Sequence, residues 1–273
     1  MANSIIPTHD PQAATTDYFE RDAPFWEDLY SREDVFAVIH RERAVRAAAE
    51  IERLPLVSGS RALEIGCGAG LLAVHLAKRG FAVDATDSTP AMVELTRQKA
   101  ELAGVGSNLR TAIADVHALQ YADASFDLVV AMGVLPWLHD PTEALREMAR
   151  VLRSGGFLIA NTDNRWRLTH VIDPLFNPWL QPVRRVLGRR HARTGPAATT
   201  VWRRRFERDL KTAGLRRVRG FTFGFGPFTI FGRPAVKEVT GVRLHTRLQR
   251  MADAGVPILR SSGSQYLVVA RTQ

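Results

Sequence analysis

Apolar and polar positions fall into blocks along most of this chain, and the blocks switch between a helical and a strand-like period. Residues 34–54 place Val35, Ile39, Val45, Ala49 and Leu54 at roughly helical spacing, and Pro55 ends the segment. Upstream, Asp17-Tyr-Phe-Glu20 and residues 22–30 predict two short aromatic-rich helices. From Arg61 to Asp163 the two periods alternate. Strands are predicted at 62–65, 81–85, 108–114, 126–132 and 157–161. Helices are predicted at 71–79, 90–103 and 141–152, the first stopped by Gly80 and the last followed by Gly155-Gly156. The run 126–132 is apolar nearly throughout, as expected of a strand buried on both faces of a parallel sheet. Such alternation implies a parallel sheet with right-handed crossovers, hence an α/β fold.

The alternation breaks at Asn164. Residues 164–200 set Trp166, Phe176, Trp179 and Leu180 among Pro174, Pro178 and Pro182, and read as an insertion over the C-terminal edge of the sheet. A helix at 201–213, stopped by Gly214, a strand at 217–225, a basic amphipathic helix at 235–254 and a strand at 265–271 then resume the core. Gly224-Phe-Gly-Pro-Phe-Thr-Ile-Phe-Gly232 fits neither period. The chain thus divides into an N-terminal helical lid segment, 1–55, and one domain, 56–273, with its insertion at about 164–200.

Composition narrows the class. The 273 residues are 45% hydrophobic and 24% charged, the balance of a globular protein. Apolar runs all fall short of the roughly 18–20 residues that span a bilayer. The first nineteen residues lack the basic start and apolar centre of a secretory signal, so a cytoplasmic location is expected. Cys67 is the only cysteine, which excludes an intrachain disulfide and a thiolate metal cluster. The net charge is +9 and unevenly placed. Residues 184–219 hold thirteen Lys/Arg against Glu207 and Asp209, a surplus of eleven, so the rest sums to −2.

The candidate chemistry lies at the ends of the first strands. Glu64-Ile-Gly-Cys-Gly-Ala-Gly70 joins a strand to a helix; Gly66, Gly68 and Gly70 allow a tight turn and close approach to a ligand. The helix that follows offers unpaired N–H groups to an anion. Asp87 opens the loop after the second strand, where a carboxylate accepts from ribose hydroxyls; Asp84 is a competitor inside the strand. Asp115 follows the third strand, placed to accept from an adenine amine with Val116 against the ring. Open α/β sheets bind ligands at this edge.

In these stretches, together with Phe126-Asp-Leu-Val-Val130 and Glu147-Met-Ala-Arg-Val-Leu-Arg-Ser-Gly-Gly156, the chain resembles the class I S-adenosylmethionine (SAM)-dependent methyltransferases, in their ubiquinone/menaquinone-type small-molecule branch. The resemblance covers about 61–163. It implies a Rossmann-like seven-stranded, mostly parallel sheet of order 3-2-1-4-5-7-6, helices on both faces and a reversed last strand at 265–271. It places Glu64, Gly66, Cys67, Gly68 and Gly70 at the methionine moiety, Asp87 at the ribose, Ser88 and Met92 near the adenosine, Asp115 and Val116 at the adenine, and Met132 and Gly133 at the sulfonium. A nicotinamide cofactor fits less well. The glycines run G-x-G-x-G rather than G-x-G-x-x-G, and Glu64 would repel a pyrophosphate but suits an ammonium and a sulfonium.

Methyl transfer from a sulfonium needs alignment and exclusion of water, and a base only where the acceptor must lose a proton. His139, just past the fourth strand, is the nearest base candidate, and His170 in the insertion the next. Tyr18, Phe25, Trp26 and Tyr30 form a lid or ordinary packing. Trp137 and Trp166 are further candidates for the acceptor pocket, whose expected occupant is a hydrophobic small molecule methylated on oxygen, or else on carbon or nitrogen. A silent SAM- or nucleotide-binding protein docking through its basic face is the alternative. The stretch Met132-Gly-Val-Leu-Pro-Trp137 holds neither an Asn/Asp-Pro-Pro-aromatic motif nor a cysteine nucleophile, so no DNA substrate is expected. The basic stretch 184–219 fits peripheral contact with an anionic membrane, a phosphorylated or carrier-bound substrate, RNA, or a solvated face.

Overall fold

The apolar runs pair into one twisted sheet because each buries alternate side chains on opposite faces. In the computed structural model, which describes residues 12–180 and 197–273, the order is α1 (Ala13–Arg21), α2 (Ala23–Asp28), α3 (Val35–Ile51), β1 (Arg61–Ile65), α4 (Leu71–Lys78), β2 (Ala82–Asp87), α5 (Pro90–Leu102), β3 (Leu109–Ile113), β4 (Phe126–Ala131), α6 (Pro141–Val151), β5 (Leu152–Asn164), α7 (Leu168–Ile172), β6 (Thr200–Val201), α8 (Arg203–Thr212), β7 (Leu215–Phe223), β8 (Thr229–Ile230), β9 (Arg233–Pro234), α9 (Glu238–Asp253) and β10 (Gln265–Thr272). The sheet runs β3-β2-β1-β4-β5-β10-β7, with β10 antiparallel to both neighbours. Counting these seven strands in chain order gives 3-2-1-4-5-7-6, as expected. The short β6 adds a parallel pairing of Thr200 and Val201 with Asp163 and Asn164.

On β4, Val129 and Ala131 join Leu63, Leu145, Met148, Leu158 and Tyr266 in the core under α6 and α8. Leu128 and Val130 turn the other way, to Ala62, Leu76, Val83, Ile159 and Leu267, against α3 and α4. Each buried Val, Leu, Ile or Met side chain among them contributes about 1.5–3 kcal/mol by leaving water. Asp34 caps α3 by accepting from Ala37 N at 3.0 Å, and Asp140 caps α6 by accepting from Thr142 N and Glu143 N.

The register assembles the site. Ile65 lies opposite Thr86 on one side and Ala131 on the other, and Asp87 opposite Ile113. The glycine loop, the β2 tip and the turn after β4 therefore leave the sheet at one edge.

Several boundaries differ from the sequence expectation. Asp87 is the last residue of β2 rather than the first of the loop. β5 runs through Gly155-Gly156 from Leu152, with its register against β4 shifting between Phe126 and Leu128. The helix expected from 201 begins at Arg203, because Thr200 and Val201 are drawn into the sheet. The glycine- and phenylalanine-rich stretch ends in the β8–β9 hairpin, which moves the following helix start to Glu238. The buried Asp173 carboxylate anchors this region, accepting from Leu175 N, Thr229 Oγ1, Phe231 N and Gly232 N at 2.6–3.0 Å. Among the described residues no helix is long and apolar enough to cross a membrane. The arginines at 184, 185, 189, 190 and 193 lie outside the described residues.

Candidate active site

Positive backbone φ angles of 68°, 52° and 76° at Gly66, Gly68 and Gly70 turn the chain sharply out of β1. The turn is tied to the next strand: Cys67 N donates to Thr86 O at 3.0 Å, and Gly68 N donates to Asp87 Oδ2 at 3.1 Å. Asp87 Oδ1 accepts from Thr89 N at 3.0 Å. From α5, Thr96 Oγ1 donates to Gly68 O at 2.8 Å. A β-carbon on Gly68 would meet nothing within 4 Å, so the loop faces open space; one on Gly70 would press on Thr96 at 2.9 Å.

That space is a cavity of about 390 Å³. Its floor is Glu64, the Gly66–Gly68 backbone, Asp87, Ser88, Met92, Asp115, Val116, Met132 and Gly133. Its roof is the N-terminal segment. Phe19, Trp26 and Tyr30 face it, with Phe36, Ile39, His40 and Arg43 from α3. Gly226, Pro227, Arg167, Ala198 and Gln265 close the far side. The roof is clamped at both ends. Tyr18 stacks on Trp137 at 5.8 Å, Phe19 meets Trp137 edge-on at 5.1 Å, and Gln12 Nε2 donates to Trp137 O at 3.2 Å. Across the cavity mouth, Thr16 Oγ1 donates to Ser88 Oγ at 3.4 Å and Ala91 N donates to Glu20 Oε2 at 3.2 Å.

The charged groups are unevenly satisfied. Glu64 is 4% exposed and its Oε2 lacks a hydrogen-bond partner among the described residues. Burial, then the neighbouring Asp87 charge, push its carboxyl well above the ordinary range. Burial also raises Asp87, against the donors from Gly68 and Thr89. Opposite stands Arg43, held by its Nε donating to Gln265 Oε1 at 3.1 Å. Among the described residues no carboxylate lies within ion-pair distance of it. Gln265 Oε1 also accepts from Asn161 Nδ2 at 3.0 Å, and Asn161 Oδ1 accepts from Gly133 N at 2.6 Å. One buried amide pair thus sets both the arginine and the turn after β4. The site offers a cation, one orphaned acid oxygen and apolar walls.

Most sequence-predicted residues converge here, and some do not. Glu64, Gly66, Cys67, Gly68, Asp87, Ser88, Met92, Asp115, Val116, Met132, Gly133, Trp26, Tyr30 and Trp137 line the cavity. Gly70 does not; its left-handed conformation starts α4 and lets the turn approach Thr96. Asp115 Oδ1 is taken by His117, through its N–H at 2.9 Å and its ring nitrogen at 2.7 Å. His139 is exposed and outside the cavity, tilted against His117 with ring centres 4.1 Å apart, because the short 3-10 turn at Leu135–Trp137 carries the chain outward. Tyr18 packs on Trp137, and Phe25 lies under the Arg32 guanidinium, so neither faces the cavity. His170 packs on Phe176 in α7. Trp166 sits between Trp179 and Trp202; Trp179 and Trp202, 63% and 49% exposed, form an outer rim rather than a pocket. Phe19, Phe36, Ile39, His40, Arg43, Arg167 and Gln265 were not anticipated. The i, i+3, i+4, i+7 spacing of Phe36, Ile39, His40 and Arg43 is the signal that marks one helix face.

Residues 63–160 match the family described as a methyltransferase domain. The chain is similar to the ubiquinone biosynthesis O-methyltransferase of Methylocella silvestris, 35% identical over 155 residues, which cover 51% of this chain and 60% of the relative. It is similar to that of Caulobacter vibrioides, 35% identical over 136 residues, half of each chain. The chain therefore spans about half to three fifths of the length of these relatives. Among solved structures, magnesium protoporphyrin IX methyltransferase from Synechocystis with bound SAH superposes with a TM-score of 0.66 at 16% identity, covering 96% of this chain and 100% of the other. The [4+2]-cyclase SpnF superposes at 0.61 and 17% identity over 94% of each chain. These likenesses concern the fold, which houses more than one chemistry. By its domain match, its sequence relatives and its sheet topology, the chain carries a methyltransferase domain over residues 63–160, on a fold it shares with SAM-dependent methyltransferases.

Proposed function

We propose that this chain transfers a methyl group from SAM to a hydroxyl of a hydrophobic small molecule. The observation that supports this best is the pairing of unsatisfied charge across one cavity: the orphaned Glu64 Oε2 on the floor and Arg43 opposite it. An α-amino acid end needs both an anion and a cation, and both are present. Asp87, at the β2 tip, is the group for the ribose hydroxyls. Ser88, Met92 and Val116 lie along the wall suited to adenine. Asp115 keeps one oxygen outside its bonds to His117, and donation by that residue, outweighing burial, holds its carboxyl below the usual range.

SAM supplies an activated methyl on a sulfonium. The chain's own work is alignment and dryness. The Asn161–Gln265 pair fixes the Gly133 backbone, and the clamped aromatic roof keeps water out. Trp26, Phe36 and Ile39 of the roof and Pro227 on the far side give the cavity apolar walls, which fit an aromatic or alkyl acceptor. Oxygen as the methylated atom follows the relatives' O-methyltransferase name. The basic α8 beside exposed Trp202 and Trp179 fits shallow contact with an anionic membrane, from which such an acceptor would be drawn.

The test supplies SAM and 4-nonylcatechol and follows S-adenosylhomocysteine (SAH) and the methoxy product by mass spectrometry. Appearance of both supports the reading. SAM binding without turnover on this catechol or on amine and quinol analogues favours a silent binding protein.

A further inference from the structure

On the helix face that roofs the cavity, His40 stands one turn before Arg43. Its Nδ1 lies 2.8 Å from the Phe36 carbonyl oxygen. A carbonyl only accepts, so Nδ1 carries the proton and Nε2 presents a lone pair. Nε2 has no partner among the described residues and is not sealed off. The ring is held between Phe36 at 4.0 Å and Trp26 at 5.9 Å, so its direction is fixed by packing. Burial first, then the Arg43 charge, lower its basicity to about 3 against the weaker pull of the Phe36 carbonyl and then Asp34, which keeps it neutral and ready to accept. The Arg43 tip abuts Gly133, where a β-carbon would collide with the guanidinium. A residue three positions earlier on the same face lies about 5–6 Å away along the helix. His40 lines the same cavity as Met132 and Gly133 of the turn after β4.

Resting on the O-methylation reading, we propose that His40 Nε2 takes the hydroxyl proton of the acceptor during methyl transfer. The acceptor oxygen bonds to the methyl carbon while the carbon–sulfur bond of the sulfonium donor breaks, its electron pair passing to sulfur. The hydroxyl proton moves to Nε2. The products are an ether, a neutral thioether and an imidazolium, with one positive charge before and after. A feeble base is sufficient, because a hydroxyl oxygen becomes strongly acidic as it gains the methyl. Water entering as the product leaves removes the proton. His139, exposed and tilted against His117 outside the cavity, lacks this access.

The test compares two acceptors in wild type and His40→Gln: 4-nonylcatechol, neutral at pH 8, and 4-nitrocatechol, ionised there and in no need of a base. His40→Gln is expected to bind SAH within about threefold of wild type and to lose turnover of the alkylcatechol by roughly 100- to 10,000-fold, but that of the nitrocatechol by less than tenfold. Equal losses on both acceptors overturn the role of His40 and leave the O-methylation reading standing. A wild-type chain that binds SAH and methylates neither overturns that reading and this role with it. Independently of turnover, and should the variant not fold, ¹⁵N-histidine spectra of SAH-saturated wild type should move the His40 Nε2 resonance on adding 4-nonylcatechol. An unmoved resonance at saturation overturns the proposal.

Discussion

Arg43 and Gly133 meet across the cavity so closely that no β-carbon fits between them. The contact joins the roof helix to the turn after β4, and Gln265 holds the arginine there through its Nε. Gly133 has φ 82°, so alanine is strained as well as obstructed. Gly133→Ala should swing the guanidinium away and weaken SAH binding about as much as Arg43→Ala, roughly 1–3 kcal/mol. The double variant should be little worse than either, because both remove one interaction. Titration calorimetry on the three variants reads this directly; additive losses would separate the two residues.

Asp87 ties the glycine loop to β2 and faces the cavity. Asp87→Ala should weaken SAH binding by roughly 1–3 kcal/mol, the scale for losing a charged hydrogen-bond partner. Wild-type affinity in this variant would remove Asp87 from the site.

Glu64 gives a pH signature. Its carboxyl holds a proton to higher pH in the folded chain than in the unfolded one, whose value is about 4.3. Its contribution is therefore fully present below that value and is lost as pH rises through the raised folded value. Glu64→Gln should flatten this loss, raising the melting temperature of the ligand-free chain at pH 8 while shrinking the rise that SAH produces. Thermal melts at pH 5 and pH 8, with and without SAH, test both halves.

How much of this was legible in the sequence depends on what each residue is asked to do. Gly66, Gly68 and Asp87 announce themselves because backbone turns and strand-tip acids come in fixed patterns; the parallel sheet follows from the alternation, and its strand order from the family resemblance. His40 and Arg43 did not. On α3 the apolar face was read through Val35 and Ile39, and polar residues lining a cavity look like residues facing solvent. Gly70 was recognised for its type but serves packing against Thr96. His139 sits at the expected position along the chain, yet the short 3-10 turn before it directs the ring outward. No periodicity encodes such a turn.

Asp173 makes a prediction away from the cavity. It accepts four hydrogen bonds that fix the β8–β9 hairpin to the segment after α7. These donors outweigh burial and hold its carboxyl below the usual range. Its contribution is present above the unfolded value of about 3.9 and fades as pH falls through the folded one. Asp173→Ala should cost about 1–3 kcal/mol at pH 7 by leaving buried donors unpaired, and less at pH 3. Denaturant midpoints at the two pH values check it, and faster amide exchange at Phe231 and Gly232 would locate the loss.

The most direct measurement is a crystal structure of the chain saturated with SAH. The account predicts an adenosyl group along the β1 to β4 tips, ribose hydroxyls on Asp87, the amino group at Glu64 and the carboxylate at Arg43. An empty cavity at saturation, or SAH bound elsewhere on the chain, would contradict it.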